Sequence, residues 1–97
     1  MARIDRSSAF QADVDEIWLC IARRHNVAAD RVLAGIDAIV RLAADFPKIG
    51  TPVPHLGIGL RRLTSGPFLI FYRVDGDTLN LLPVLDGRRR ITPLQFH

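Results

Sequence analysis

Residues 66–85 constrain the fold of this chain more than any other part of the sequence. Two apolar runs, residues 68–74 and 79–85, flank the dipeptide Asp75-Gly76. An Asp-Gly step between apolar runs is among the strongest signals for a β-hairpin, because a type I′ turn needs a positive φ at both central residues. The aromatic and β-branched residues of the first run suit a pleated, half-buried surface. The sequence therefore predicts two antiparallel strands joined by a tight turn.

Two helical segments precede the hairpin. The apolar residues of the first recur at helical spacing on one stripe: Phe10, Val14, Ile17, Trp18 and Ile21. Ser8 and Gln11 resemble a capping box at its start. The apolar stripe of the second helix contains Val32, Ile36, Ile39, Val40 and Ala43. Asn26 is a candidate cap between the two helices. Pro47 predicts that the second helix ends near Asp45 or Phe46.

Shorter elements complete the predicted fold. Residues 2–5 allow a brief first strand, and residues 60–63 read as another. Residues 47–59 form a loop that Ile49, Val53 and Leu56 attach to the core. Pro83 lies inside the last strand and indicates an unpaired or bulged edge there. We predict an α+β fold in one domain, residues 1–97, with an antiparallel helical hairpin packed on a small, mainly antiparallel sheet in the order β-α-α-β-β-β.

The amino-acid composition indicates the cellular compartment of the protein. Of its 97 residues, 48% are apolar and 24% are charged, which is typical of a soluble globular domain. No apolar run is long enough to span a membrane, and the first ten residues lack the apolar segment of a signal peptide. Cys20 is the single cysteine, so no internal disulfide can form, and we expect it to be a small core residue. These features predict a cytoplasmic protein.

Common catalytic and cofactor patterns are missing from the sequence. His25, His55 and His97 are scattered without metal-ligand spacing, and one cysteine cannot complete a zinc site. Residues 57–59 lack the third glycine and the strand-before-helix context of a dinucleotide loop. Tyr72, the only tyrosine, precedes Arg73 directly and therefore points to the opposite face of a strand. We predict no catalytic pair, no metal site and no cofactor.

Arginines are the remaining candidates for function. The chain has 13 Lys and Arg against 10 Asp and Glu, with a net charge of +3. The predicted binding residues follow or lie in the predicted strands: Arg62, Arg73, Arg88, Arg89 and Arg90. On one face of a sheet, such a cluster could bind phosphates or carboxylates through bidentate hydrogen bonds. Arg61 and Arg62 must point to opposite faces. The alternative is a solvated sheet edge that charge protects against aggregation.

Several motifs follow one another over nearly the whole chain. An A-x-x-D-[VL]-x-x-I pattern is matched by Ala9, Asp13, Val14 and Ile17. Then follow G-x-x-R at residues 59–62, the run LIFYRV, a D-G-D turn and VLDGRRR. This order of motifs resembles the RelE/ParE superfamily of type II toxins, which contains two competing activities. RelE-like members cut messenger RNA on the ribosome with basic side chains and usually a C-terminal tyrosine, whereas ParE-like members poison DNA gyrase without nuclease residues.

Three positions favour the ParE-like branch. Leu69 stands where RelE-like toxins commonly carry an arginine, and Gln95 and Phe96 occupy the region of the C-terminal tyrosine. Departures from the usual ParE-like ending are Pro83 for Arg, Asp86 for His and Arg90 for an acidic residue. The resemblance implies a non-enzymatic toxin that inhibits gyrase and is neutralised by a cognate antitoxin. The alternatives are a ribosome-dependent mRNA endoribonuclease and a non-toxic relative that still binds antitoxin.

Overall fold

The computed structural model describes residues 2–86, and the elements follow in the order β1 (Arg3–Arg6), α1 (Ser8–Ala22), α2 (Asn26–Asp45), β2 (Thr51–Pro52), β3 (Arg61–Ser65), β4 (Phe68–Asp75) and β5 (Thr78–Asp86). The strands form one sheet in the order β1-β5-β4-β3-β2. β1 pairs with β5 in parallel, and the other three pairs are antiparallel. The predicted α+β fold is confirmed, with the two-residue β2 as an additional strand within the expected loop. None of the helices in the described range is long and apolar enough to cross a membrane.

The central hairpin is confirmed, but its predicted turn type is wrong. Asp75 pairs with Thr78, so Gly76 and Asp77 are the two turn residues. Gly76 has a φ of 62°, and no residue other than glycine has a positive φ within residues 2–86. A positive φ at the first central position alone is the pattern of a type II′ turn, not of type I′. The reason is register, because the ladder extends to Asp75 and moves the turn one residue along.

The predicted irregularity at Pro83 is a β-bulge. Ile70 pairs with Val84 and Tyr72 with Leu81, so two residues of β5 oppose one residue of β4. Beyond the bulge, the N–H of Val84 donates to Oδ2 of Asp13 on α1 at 3.1 Å. β1 pairs with β5 only as far as Leu81, so Asp13 accepts the N–H of a β5 residue that lies beyond the end of β1.

Both helix starts differ by one residue from the prediction. Ser7, not Ser8, caps α1, with its hydroxyl accepting the N–H of Phe10 at 3.0 Å. His25, not Asn26, caps α2, with its Nδ1 accepting the N–H of Ala28 at 3.1 Å. Each true cap precedes the first helical residue and has a non-helical backbone, which is what an N-cap requires. The end of α2 at Asp45 is as predicted.

The sheet separates two apolar clusters. The larger lies between the helices and the sheet and includes Phe10, Val14, Ile36, Val40, Ile70 and Tyr72. The smaller contains Val53, Leu60 and Phe71, with Leu56, Leu69, Leu82 and Leu85 packed against them. Because Phe71 lies between Ile70 and Tyr72 on β4, the second cluster is on the face turned away from the helices. We call that face the outer face.

Two expected core contacts are wrong. Ile49 is exposed instead of packed, while Val53 and Leu56 do contact an apolar cluster, although it is the outer one. Cys20 is exposed rather than buried in the core. Leu19, the neighbour of Cys20 on α1, is exposed as well. The buried stripe of α1 is therefore narrower than its number of apolar residues suggests.

Candidate functional site: the basic outer face

Two of the five predicted binding arginines share the outer face. Arg62 on β3 pairs with Phe71 on β4, and directly paired residues lie on the same side of a sheet. Arg73 follows Phe71 by two residues and therefore lies on that side too. Arg61 pairs with Tyr72 and points to the helix side, as strand alternation requires.

The other three predicted arginines, Arg88, Arg89 and Arg90, lie outside the described residues. The structure therefore places two of the five on one face and gives no position for the C-terminal run.

Arg73 holds the loop that covers the outer face. Its Nε donates to the carbonyl oxygen of Ile58 at 3.0 Å. The guanidinium lies so close to Gly57 that a Cβ at that position would be 2.7 Å from Nη2 of Arg73. A side chain at residue 57 would therefore force the end of the Arg73 side chain to move. The loop between β2 and β3 is thus attached to β4 by a cationic side chain.

Arg62 differs from Arg73 in being uncommitted within the described chain. It is half-buried, and its side chain makes no hydrogen bond or ion pair with any residue in the range 2–86. Its apolar stem lies on the same face as Phe71, and its guanidinium keeps its donors for a carboxylate or a phosphate.

The stretch of chain that forms the loop, β2, β3 and most of β4 carries charge of a single sign. Between Phe46 and Val74 the sequence contains no Asp or Glu, while it contains the cations Lys48, Arg61, Arg62 and Arg73. Seven of the ten acidic residues precede this stretch, in or beside β1 and the helices: Asp5, Asp13, Asp15, Glu16, Asp30, Asp37 and Asp45. Six of these seven acids lie on the helices, whereas the loop with β2, β3 and most of β4 forms a basic layer. The outer face also carries two acids, because Asp75 follows Arg73 by two residues and Asp5 is in register with Asn80, which pairs with Arg73. The acid-free stretch is visible in the sequence, and it is a signal that a search for arginine spacing alone misses.

Tyr72 serves the fold rather than chemistry. Its side chain is fully buried. The hydroxyl donates to the carbonyl of Pro47 at 2.7 Å and accepts the N–H of Gly50 at 2.9 Å. Burial raises the pKa of this hydroxyl above its ordinary value, against the opposing effects of the Gly50 hydrogen bond and the Arg61 charge. The Tyr72 hydroxyl is therefore protonated, makes two hydrogen bonds and has a structural role.

Arg61 completes the same network on the helix side. Its Nη1 donates to the carbonyl of Gly50 at 2.7 Å and to that of Lys48 at 3.1 Å. A Cβ on Gly50 would lie 2.6 Å from the hydroxyl oxygen of Tyr72, so a residue without a side chain is required there. Tyr72 and Arg61 together fix the segment that leads from α2 to β2.

Within the described part of the chain, no three His, Cys, Asp or Glu side chains are grouped to hold a metal ion. His25 is engaged as a helix cap, and His55 is exposed in the loop between β2 and β3. Asp13 carries a raised pKa because of burial, with the hydrogen bond from Val84 lowering it and the Glu16 charge raising it further. Its carboxylate accepts a backbone N–H and lies on the helix side, away from the basic layer.

Comparison with known proteins identifies the family of the chain. A family model described as the ParE toxin of the type II toxin–antitoxin system parDE matches residues 4–91 of the chain. Toxin ParE1 of Mycobacterium tuberculosis is 36% identical over 84 residues, which are 84% of this chain and 86% of that protein. Toxin ParE3 of Caulobacter vibrioides is 27% identical over 92 residues, which are 94% of this chain and 92% of its own length.

A solved structure has the same fold. It is described as the chromosomal ParDE TA system from P. aeruginosa, and it superposes with a TM-score of 0.74 at 23% identity. The superposition covers 87% of this chain and 94% of that one. Since the family model spans almost the whole sequence and relatives above 30% identity share the name, the chain belongs to the family of ParE toxins of type II toxin–antitoxin systems.

Proposed function

We propose that this protein inhibits DNA gyrase by binding it, and that a cognate antitoxin neutralises it. The observation that carries the proposal is the match of residues 4–91 to the ParE toxin family. A toxin of a type II system is one half of a pair, so an antitoxin partner is implied. The proposed place of action is the cytoplasm, where gyrase works on chromosomal DNA.

The basic outer face supports a binding mechanism. Arg62 and Arg73 lie on it, and the acid-free stretch offers no carboxylate to repel an acidic partner. In the proposed complex these arginines, together with Arg88, Arg89 and Arg90, contact acidic side chains of the target or phosphates of its DNA. Complementary charge speeds encounter and fixes orientation more than it adds affinity, so recognition also requires apolar contacts.

The helical layer offers a site for the antitoxin. A groove of about 260 Å³ is lined by Phe10, Val14, Leu33, Ile36 and Val40, with Arg6, Gln11 and Asp37 at its rim. An amphipathic helix could place its apolar face there. The sheet offers a second site, because β2 pairs with β3 only at Arg61 and Arg62, and residues 63–65 have no strand on that side among the described residues. An extended antitoxin segment could add a strand at that edge.

A supercoiling and DNA-cleavage assay with purified gyrase tests the proposal. Loss of supercoiling and trapping of cleaved DNA are expected, and both should be reversed by the protein encoded beside this one. No inhibition and no cleaved complex at high molar excess would reject the gyrase target. Primer extension on translated messages then separates the alternatives, since codon-phased cuts would indicate a ribosome-dependent nuclease. Normal growth on induction without antitoxin would indicate a non-toxic relative.

A further inference from the structure

Ile58 is the most exposed of the large hydrophobic residues in the described chain. Its side chain is 90% accessible, whereas the other exposed large hydrophobics range from 39% to 61%. A single exposed apolar residue is common on protein surfaces and by itself indicates nothing. Ile58 differs because the loop that displays it is fixed by four constraints, which are three hydrogen bonds and the backbone conformation of Gly59.

The first two constraints, a hydrogen bond and a positive φ, define a turn. The N–H of Leu60 donates to the carbonyl of Gly57 at 3.1 Å, and Gly59 has a φ of 74°. A hydrogen bond from the fourth residue to the first, with positive φ at the third, is the pattern of a type II β-turn. Ile58 is the second residue of this turn, at its corner, where the side chain projects away from the chain.

The third constraint comes from Arg73, through the hydrogen bond from its Nε to the carbonyl of Ile58. That carbonyl belongs to the central peptide of the turn, which is flipped in a type I turn relative to type II. The hydrogen bond from Arg73 therefore stabilises the orientation of the central peptide that the positive φ of Gly59 allows.

The fourth constraint is a hydrogen bond at the base of the loop. The N–H of Val53 donates to the carbonyl of Leu60 at 2.9 Å. Both of these side chains are buried in the outer apolar cluster. A loop that is already fixed loses little backbone freedom when a partner binds it, so only the side chain of Ile58 has to be ordered.

We propose that Ile58 is an apolar anchor that inserts into a pocket on the acidic surface of the target protein, and that Arg73 is its positioning residue. This inference rests on the proposed function. The acid-free stretch from Phe46 to Val74 matches an acidic partner, with Arg62 on the same face to bind a carboxylate beside the pocket. A protein is favoured over nucleic acid because an isoleucine at the corner of a turn needs an apolar pocket, and anchors of this kind dominate the energetics of protein interfaces.

The experiment compares Ile58→Asp with Val27→Asp in the gyrase supercoiling assay. Val27 is 56% exposed in the first turn of α2, which belongs to the helical layer, so it is a matched change from an exposed apolar residue to an acid. We expect Ile58→Asp to raise the half-inhibitory concentration by about tenfold or more, as loss of an interface anchor does. Val27→Asp should leave that concentration unchanged, and both variants should melt at the wild-type temperature.

A double-mutant cycle tests the positioning role of Arg73. If Arg73 acts through Ile58, the effect of Arg73→Gln shrinks when Ile58 is already alanine. Arg62→Gln is the control on the same face, and its effect should be the same in both backgrounds. Equal effects of Arg73→Gln in both backgrounds would overturn the positioning role.

The outcomes separate this inference from the proposed function. If the wild-type protein does not inhibit gyrase, the proposed function fails and this inference fails with it. If the wild type inhibits and Ile58→Asp inhibits equally, the anchor alone is wrong. Ile58→Asp that inhibits normally but no longer binds the antitoxin would assign the loop to the antitoxin interface and overturn the proposal. Weaker binding of Ile58→Asp than of Val27→Asp to a labelled DNA duplex without gyrase would overturn it in favour of a nucleic-acid contact.

Discussion

Replacing Tyr72 with phenylalanine removes one oxygen atom and leaves two backbone groups without a partner. The N–H of Gly50 and the carbonyl of Pro47 each lose the bond they make with the hydroxyl. Gly50 is buried, so its N–H cannot turn to water, whereas Pro47 is half-buried. An orphaned buried group costs about 1–3 kcal/mol, and the variant recovers part of this because it no longer buries a hydroxyl. We expect a net loss of about 2 kcal/mol in the free energy of unfolding.

Urea denaturation measures this loss directly. For a domain of this size, about 2 kcal/mol corresponds to a fall of roughly 8–16 °C in melting temperature. The dependence of the unfolding free energy on urea should stay the same, because the surface exposed on unfolding is unchanged. Thr64→Val is the control, since it removes a hydroxyl from an exposed position and should change stability by no more than about 0.5 kcal/mol.

The same variant distinguishes a structural tyrosine from a catalytic one. At a temperature where it is folded, Tyr72→Phe should inhibit gyrase as well as the wild type does. A stability loss no larger than that of Thr64→Val would refute the bridging role of the hydroxyl. Loss of activity in a fully folded variant would refute the assignment of Tyr72 to the fold.

Three further substitutions test contacts that position the two layers. Gly50→Ala should lower the unfolding free energy by about 1–3 kcal/mol, because the new Cβ lies 2.6 Å from the Tyr72 hydroxyl oxygen; wild-type stability in urea would contradict the close approach. Asp13→Asn keeps an acceptor for the Val84 N–H but removes an acid whose pKa burial raises above 3.8. The folded wild type therefore holds its proton more tightly than the unfolded chain does, and wild-type stability relative to Asp13→Asn should fall as the pH rises from about 3 to about 7. A pH-independent difference in urea titrations would count against the raised pKa. Ser7→Ala removes the cap of α1 and should cost about 1 kcal/mol in thermal unfolding, and an unchanged melting temperature would show that another group caps the helix.

Local signals in the sequence were sufficient for the order of the elements and for every element except the two-residue strand β2. The Asp-Gly dipeptide and its apolar flanks identified the hairpin, Pro47 identified the end of α2, and Pro83 identified the bulge. Where two residues compete for one role, the choice depends on what precedes them. Ser7 directly follows β1 and keeps an extended backbone, so it becomes the cap and Ser8 the first helical residue. The turn type depended in the same way on how far the ladder extends.

The candidate site was only partly predictable. Strand alternation and the hairpin register are enough to place Arg62 and Arg73 on one face. The exposed position of Ile58 cannot be predicted from its neighbours in sequence, because it depends on a hydrogen bond from Arg73, which is 15 residues away. The structural roles of Gly50 and Tyr72 likewise depend on a contact across 22 residues.

The central claim is that this toxin acts by binding gyrase rather than by cutting RNA. Its most direct test is the amount of linear DNA released from gyrase–DNA complexes as the purified protein is titrated, with and without its cognate antitoxin. Gyrase binding predicts that cleaved DNA accumulates with toxin concentration and disappears when an equimolar amount of antitoxin is added first. Cleaved DNA that stays at the level of gyrase alone over the whole titration would contradict the claim.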